Sequence, residues 1–114
     1  MNSIPKIEPA PLKSCYQRTS KPSFAVSFAL SDGDHLIAPY AYFEHGKRKR
    51  SGELVFFYNF GEIHVTGQKL EVIYDAAHVH ELKSVCCHDR ADIDPAAPWV
   101  EKIVLKEKDL YEED

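Results

Sequence analysis

Large and small residues alternate over residues 23–30, where the patterned part of the chain begins. A period of two predicts a β-strand with one face in the core, and its large residues are Phe24, Val26, Phe28 and Leu30. The pair Asp32-Gly33 favours a hairpin turn, because glycine readily takes the positive φ that such turns need. A second, antiparallel strand is therefore predicted over residues 35–43. Pro39 cannot donate a ladder hydrogen bond, so we expect this strand to be at a sheet edge, bulged or broken there.

Residues 53–60 contain an almost continuous apolar run. Apolar side chains occupy both faces of the expected strand, with Leu54, Phe56, Tyr58 and Phe60 on one and Val55 and Phe57 on the other. A strand that is apolar on both faces is typical of a sheet interior, so this segment is predicted to be the central strand. Alternation resumes at Ile63 and predicts a further strand that ends at Gly67.

The period changes from two to that of a helix after Gly67. Apolar residues at Leu70, Ile73, Tyr74 and Ala77 predict a single helix of three turns, reaching to about His80. Residues 82–87 are predicted to form a fifth strand. Residues 99–105 fit either a strand or a short helix begun by Pro98, and we favour the strand.

These elements predict an α+β fold, with a small, mainly antiparallel sheet or open barrel of about five strands. One helix is inserted before the last core strand. Residues 1–22 carry four prolines and predict an extended, flexible N-terminal arm. The compact domain is predicted to span residues 23–105, and a charged C-terminal tail is expected over residues 106–114.

Composition limits the classes of function that fit this fold. The chain has 114 residues, a net charge of -4 and three cysteines, which is typical of one soluble domain with free thiols in a reducing, cytoplasmic compartment. No stretch approaches the roughly 18 consecutive apolar residues that a membrane helix needs, so no membrane association is expected. The acidic balance argues against a uniformly basic nucleic-acid binder.

Three histidines and two cysteines fall within residues 78–89 and form a candidate metal or redox site. Cys86 and His88 are two apart on a predicted strand and would point to the same face. With either His78 or His80, brought near by a turn, they would supply three ligands of the right type for zinc, and we favour His80. Zinc is the only cofactor that the sequence suggests. The spacing matches no established zinc pattern, and the alternative is a helix-end histidine beside buried cysteines. A disulfide between Cys86 and Cys87 would strain the chain, which argues against redox chemistry.

Four consecutive cations, Lys47, Arg48, Lys49 and Arg50, lie between two glycines and form a candidate basic loop. Such a loop suits phosphate contacts, with Tyr40, Tyr42 or His45 nearby for stacking on bases. The alternative is a solvated turn whose charges keep a sheet rim from pairing with another molecule.

The aromatic residues are numerous for one small domain, and most are expected in the core. If residues 53–60 are apolar on both faces, one helix cannot cover both, which leaves Phe57 as a candidate contact residue. The sequence therefore favours a non-enzymatic binding or assembly module that forms a homo-oligomer through its sheet. The alternatives are a metal-assisted enzyme using His80, Cys86 and His88, a thiol-based enzyme, and a nucleic-acid or anionic-partner binder using the basic loop.

Overall fold

The computed structural model describes residues 12–108, which form an α+β fold of two antiparallel-rich sheets and one helix, as the sequence predicts. The elements are β1 Tyr16–Arg18, β2 Ala25–Ala29, β3 His35–Pro39, β4 Phe43–Arg48, β5 Leu54–Tyr58, β6 Gly61–Gln68, α1 Glu71–His78, β7 Leu82–Val85 and β8 Trp99–Glu107. Short 3₁₀ turns at Tyr40–Tyr42 and Arg90–Asp92 complete the described chain.

The first sheet has the strand order β1-β7-β2-β3. Its β2–β3 hairpin forms as predicted, with Gly33 at a φ of 100° and the Leu30 N–H donating to the Asp34 carbonyl over 2.7 Å. The β2–β7 pair is parallel, with Ser27 opposite Ser84, and joins parts of the chain that local patterning cannot connect. The edge strand β3 is followed directly by the 3₁₀ turn.

The second sheet has the order β4-β5-β6-β8 and is antiparallel throughout. Strand β5 is internal, in agreement with its apolar faces. Its Leu54, Phe56 and Tyr58 side chains are buried in the core, while Val55 is buried on the opposite face. The segment 99–105 is a strand, as we favoured, and β8 continues to Glu107.

The core lies where the two sheets and the helix meet. Phe28 on β2 and Phe56 on β5 are each 1% exposed, and Ile73 of α1 is fully buried. The helix is shorter than the three turns predicted, because its last hydrogen-bonded turn closes at His78. It is eight residues long, and no helix between residues 12 and 108 is long and apolar enough to cross a membrane.

Three details differ from the sequence-based expectations. The strand predicted over residues 35–43 is two strands in different sheets, because the chain turns after Pro39; breakage at Pro39 was one of the expected outcomes. Eight strands are present in place of about five. Phe24 was expected on the core face but is 96% exposed, because the β2 ladder begins only at Ala25 and the alternation does not extend back to it.

The predicted arm and tail lie partly outside the described residues, which exclude 1–11 and 109–114. Within the described part of the arm, Cys15 is fully buried and β1 pairs with β7. At the other end, Glu107 pairs with Gly61 in the β6–β8 ladder, so the ladder continues two residues into the predicted tail.

Candidate functional site

The outer edge of β3 carries unpaired backbone groups. At the two ends of β3, the backbone groups point toward β2. The Asp34 carbonyl accepts the Leu30 N–H, and the Tyr40 N–H donates to the Phe24 carbonyl. Because hydrogen-bonding direction alternates along an antiparallel strand, His35, Ile37 and Pro39 direct their backbone groups away from β2. No other strand between residues 12 and 108 pairs with this edge. Pro39 has no N–H, and its position here costs the β2–β3 ladder no bond.

Apolar side chains surround this edge. Ile37 is 70% exposed and lies opposite Ser27 on the outer face of the first sheet. Phe24 lies beside the end of β3, since its carbonyl accepts the Tyr40 N–H over 2.9 Å. We call His35–Pro39 together with Phe24 the β3 edge surface. Its only titratable side chain is His35, so it lacks the charged residues that usually protect an open edge.

The other strand edges are shorter, capped or charged. Strand β1 has three residues. The β8 edge is occupied at Ile103 by Ser31, whose N–H donates to the Ile103 carbonyl over 2.8 Å and whose Oγ accepts the Ile103 N–H over 2.8 Å. Strand β8 also exposes the charged residues Glu101, Lys102 and Lys106. Strand β4 exposes Glu44, Lys47 and Arg48 along its edge. Charge at an edge disfavours pairing, which leaves β3 as the open apolar edge of the described chain.

Half of the candidate basic loop belongs to the end of strand β4. Lys47 and Arg48 belong to β4, and only Lys49 and Arg50 lie in the turn. Two of the four cations are paired, since Lys49 Nζ lies 2.8 Å from Glu53 Oε1 and Arg48 Nη1 lies 3.6 Å from Glu71 Oε1. The hydrogen bond from Lys49 holds the pKa of Glu53 below its usual value. These pairs reduce the positive charge that the segment offers to a phosphate.

The candidate stacking residues have different environments. Tyr40 is 8% exposed, and its hydroxyl donates to the Leu82 carbonyl over 2.7 Å. Burial raises the pKa of Tyr40 to about 12, against the opposing effect of that hydrogen bond. Tyr40 is therefore part of the core and does not reach a ligand. Tyr42 is 50% exposed, and Phe57 is covered in part by the stacked ring of His45 at 4.3 Å.

His80 belongs to the end of the helix. It follows the C-cap at a φ of 59°, and its N–H donates to Ala77 while the Glu81 N–H donates to Ala76. These paired bonds form a helix C-terminal motif in which glycine is the usual residue. The imidazole stacks on Tyr40, with 4.3 Å between ring centroids.

Cys86 and His88 lie close together, but both follow β7, which ends at Val85 and not at Cys87 as predicted. Cys86 Sγ lies 3.4 Å from His88 Nε2. His80 is separated from this pair by the whole of β7, Leu82–Val85, which at about 3.3 Å per residue spans about 10 Å. Between residues 12 and 108, no group of three or more His, Cys, Asp or Glu side chains is arranged to hold a metal ion. Zinc binding through His80, Cys86 and His88 stays a prediction from the sequence.

The thiols show no sign of activation. Burial raises the pKa of both Cys86 and Cys87. A nucleophilic cysteine needs a lowered pKa, so the environment of these two side chains favours the neutral thiol. Cys15 is buried, and its sulfur accepts the Val100 N–H over 3.3 Å. None of the three forms a disulfide in the described chain.

Sequence reasoning missed a groove between β4 and α1. Its volume is about 230 Å³, and it is lined by Phe43, His45, Gly46, Phe56, Tyr74, Ala77 and His78. The helical period indicated that Tyr74 and Ala77 share a face. Gly46, however, was interpreted only as the boundary of the basic loop.

Comparison with known proteins gives no relative from which a function could be transferred. No protein-family model, no curated protein and no solved structure matches the chain significantly.

Proposed function

We propose that this protein is a non-enzymatic assembly module that forms a homodimer through the β3 edge surface. The observation that carries the proposal is the open, apolar edge at Ile37, which is 70% exposed while neighbouring His35 and Pro39 also direct their backbone groups outward. An unprotected edge of this kind is a template for pairing with another strand. A second copy is the occupant that we propose, since an edge paired with itself gives a closed two-fold contact.

The proposed register places Ile37 opposite Ile37 of the second copy at the two-fold axis. The two Ile37 residues then exchange two N–H to carbonyl bonds. Each His35 N–H donates to the Pro39 carbonyl of the other copy, which adds two more. Pro39 needs no acceptor, so this register leaves no outward N–H of β3 unpaired. Phe24 would add apolar contact beside the paired strands.

The contact is small, because one five-residue strand and two exposed apolar side chains form it. Small interfaces of this kind are weak and reversible, so we expect a dimer dissociation constant on the order of 10 µM. We also propose a reducing, cytoplasmic setting, which the three free thiols support.

Sedimentation equilibrium over a range of protein concentrations tests the proposal. Ile37→Lys places a charge on the edge where natural proteins use one to prevent pairing, and should leave the protein monomeric. Val72→Lys is the matched control, since Val72 is an exposed aliphatic residue on α1 that is 40% exposed and the change in charge is the same. Wild-type protein and Val72→Lys should dimerise equally. A dimer that persists in Ile37→Lys, or a wild-type monomer at all concentrations, would overturn the proposal.

A further inference from the structure

Two side chains that bind soft metal ions lie side by side just after β7. The 3.4 Å contact between Cys86 Sγ and His88 Nε2 brings a sulfur and an imidazole nitrogen to one place. Cys87 stands between them in the chain, but its sulfur has a different neighbour, Ser31 Oγ at 3.8 Å. Cys86 and His88 therefore form a pair of potential ligands in which Cys87 takes no part.

Hydrogen bonds hold the backbone of both residues in place. The Cys86 N–H donates to the Cys15 carbonyl over 2.8 Å, and the His88 carbonyl accepts the Trp99 Nε1–H over 2.8 Å. The Trp99 ring is itself covered by the Arg90 guanidinium, which lies 5.6 Å from the ring centroid. These contacts keep the sulfur and the ring nitrogen near each other before any ion binds, which lowers the entropic cost of binding one.

The number and the type of donor atoms decide which ion fits this pair. Zinc in proteins takes three or four ligands, so two donors leave its coordination incomplete. Monovalent copper, Cu(I), is a soft ion that prefers thiolate, also binds imidazole and is stable with two ligands in a linear arrangement. The same two side chains are therefore sufficient for Cu(I) and insufficient for zinc.

Charge balance favours the same ion. A thiolate cancels the single charge of Cu(I), and a neutral imidazole leaves the complex without net charge. Zinc on the same two ligands would keep one positive charge. Cys86 and His88 are both partly buried, and burial of a net charge is costly, so the neutral complex is the more stable one at this position.

We infer that Cys86 and His88 bind one Cu(I) ion as a two-coordinate site. Binding forms one bond from copper to Cys86 Sγ and one to His88 Nε2. The S–H bond of Cys86 breaks and its proton goes to water, while the oxidation state of copper does not change. Metal–ligand bonds of about 2.0–2.3 Å in a line place the two donor atoms about 4.2 Å apart, so they must separate by about 0.8 Å from the present 3.4 Å. Small rotations of the two side chains are enough for this change. Binding does not depend on the proposed dimer, because neither residue belongs to the β3 edge surface.

Competition with a coloured Cu(I) chelator tests the inference on the full, reduced chain in the absence of oxygen. Addition of the protein to the Cu(I)–bicinchoninate complex should bleach its colour until one Cu(I) has moved to each chain. Zn²⁺ presented with a zinc-sensitive dye should stay with the dye. Failure of the wild-type protein to withdraw Cu(I), or equally tight binding of Zn²⁺, would overturn the inference.

Matched variants separate this pair from the other thiols and imidazoles. Loss of even an outer partner of a metal ligand typically costs about 10–100-fold in affinity, so Cys86→Ser and His88→Ala should each weaken Cu(I) binding at least about tenfold. Cys87→Ser and His78→Ala are the controls, since they remove the same groups from the adjacent thiol and from an exposed imidazole on α1. Both controls should bind Cu(I) as wild type does. Affinity that survives in Cys86→Ser or His88→Ala, or that is lost in Cys87→Ser, would contradict the inference.

X-ray absorption at the copper K-edge gives a test that needs only the wild-type chain. The inferred site predicts one sulfur and one nitrogen as the only two ligands of copper. A copper ion bound by two or three sulfurs would show that Cys15 or Cys87 takes the place of His88, and would overturn the inference.

Discussion

The ring of Phe28 on β2 lies 6.0 Å from the ring of Phe56 on β5, and this contact joins the two sheets. Phe28 also meets Tyr58 edge-on at 6.5 Å. Since the two sheets are built from separate ladders, their association depends on side chains of this kind.

Truncation of Phe28 should therefore destabilise the whole fold. Phe28→Ala removes a fully packed ring and leaves a cavity between the sheets, which should lower the free energy of unfolding by about 3–5 kcal/mol. Phe24→Ala is the control, because Phe24 is 96% exposed and its loss should change the free energy by less than about 0.5 kcal/mol. Urea denaturation at low protein concentration measures both. Equal effects of the two variants would contradict the assignment of Phe28 to the core and Phe24 to the surface.

Two effects at His80 can be separated by mutation: the strain of its left-handed backbone and the stacking of its ring on Tyr40. At a φ of 59° a residue with a Cβ is strained, while glycine is not. His80→Ala loses the stack on Tyr40 and keeps the strain, whereas His80→Gly loses the stack and relieves it. We expect His80→Gly to be more stable than His80→Ala by about 1 kcal/mol in urea denaturation. The reverse order would show that His80 does not hold a left-handed conformation.

The Lys49–Glu53 pair predicts a dependence of stability on pH. The pKa of Glu53 is lowered from 4.5 in the folded protein, chiefly by the Lys49 hydrogen bond. A lowered folded pKa means that the carboxylate stabilises the fold above pH 4.5 and that this contribution is lost as the pH falls below that value. Glu53→Gln should therefore be less stable than wild type at pH 7, by less than about 1 kcal/mol. The difference between the two should shrink in acid, and a difference that stays constant with pH would contradict the pairing.

Metal analysis of the purified protein tests the zinc prediction from the sequence. Cys86 and His88 supply two ligands, and a stable zinc site needs three or four. We expect no stoichiometric zinc in wild-type protein and no change of zinc content in Cys86→Ser. Stoichiometric zinc that disappears in Cys86→Ser would show that further ligands join Cys86 and His88, and would support the zinc site predicted from the sequence.

The pattern of residues within a segment was enough to predict those features of the fold that depend only on that segment. Asp32-Gly33 predicted the hairpin, and the two apolar faces of β5 predicted its internal position. Pro39 predicted an edge, a bulge or a break, and the strand there is both at an edge and broken. Strand β1 was missed because Tyr16–Arg18 has no apolar alternation and joins the sheet by backbone pairing with β7. The parallel pairing of β2 with β7 joins strands that are distant in the sequence, so it could not be predicted from the alternation of hydrophobic residues within either strand.

The candidate sites were predictable to a smaller extent. Cys86 and His88 were predicted to point to one face of a strand, and their side chains lie close together although β7 ends before them. The predicted role of Tyr40 in stacking placed a core residue at the surface. Exposure of Ile37 depends on which strand ends the sheet, and the space at Gly46 depends on how α1 packs against β4. Both are properties of packing between distant segments.

Amide hydrogen exchange at Ile37 tests the proposed assembly most directly. The Ile37 N–H points away from β2 and should exchange rapidly in the monomer, but it should be protected when two copies pair. The Arg48 amide is the internal control, because it also faces an open edge, on β4, that the proposed dimer leaves unpaired. We predict that protection of the Ile37 amide increases as the protein concentration is raised from below to above the dimer dissociation constant. The Arg48 amide should exchange at a constant rate over the same range. An Ile37 exchange rate that does not depend on protein concentration would contradict assembly through the β3 edge surface.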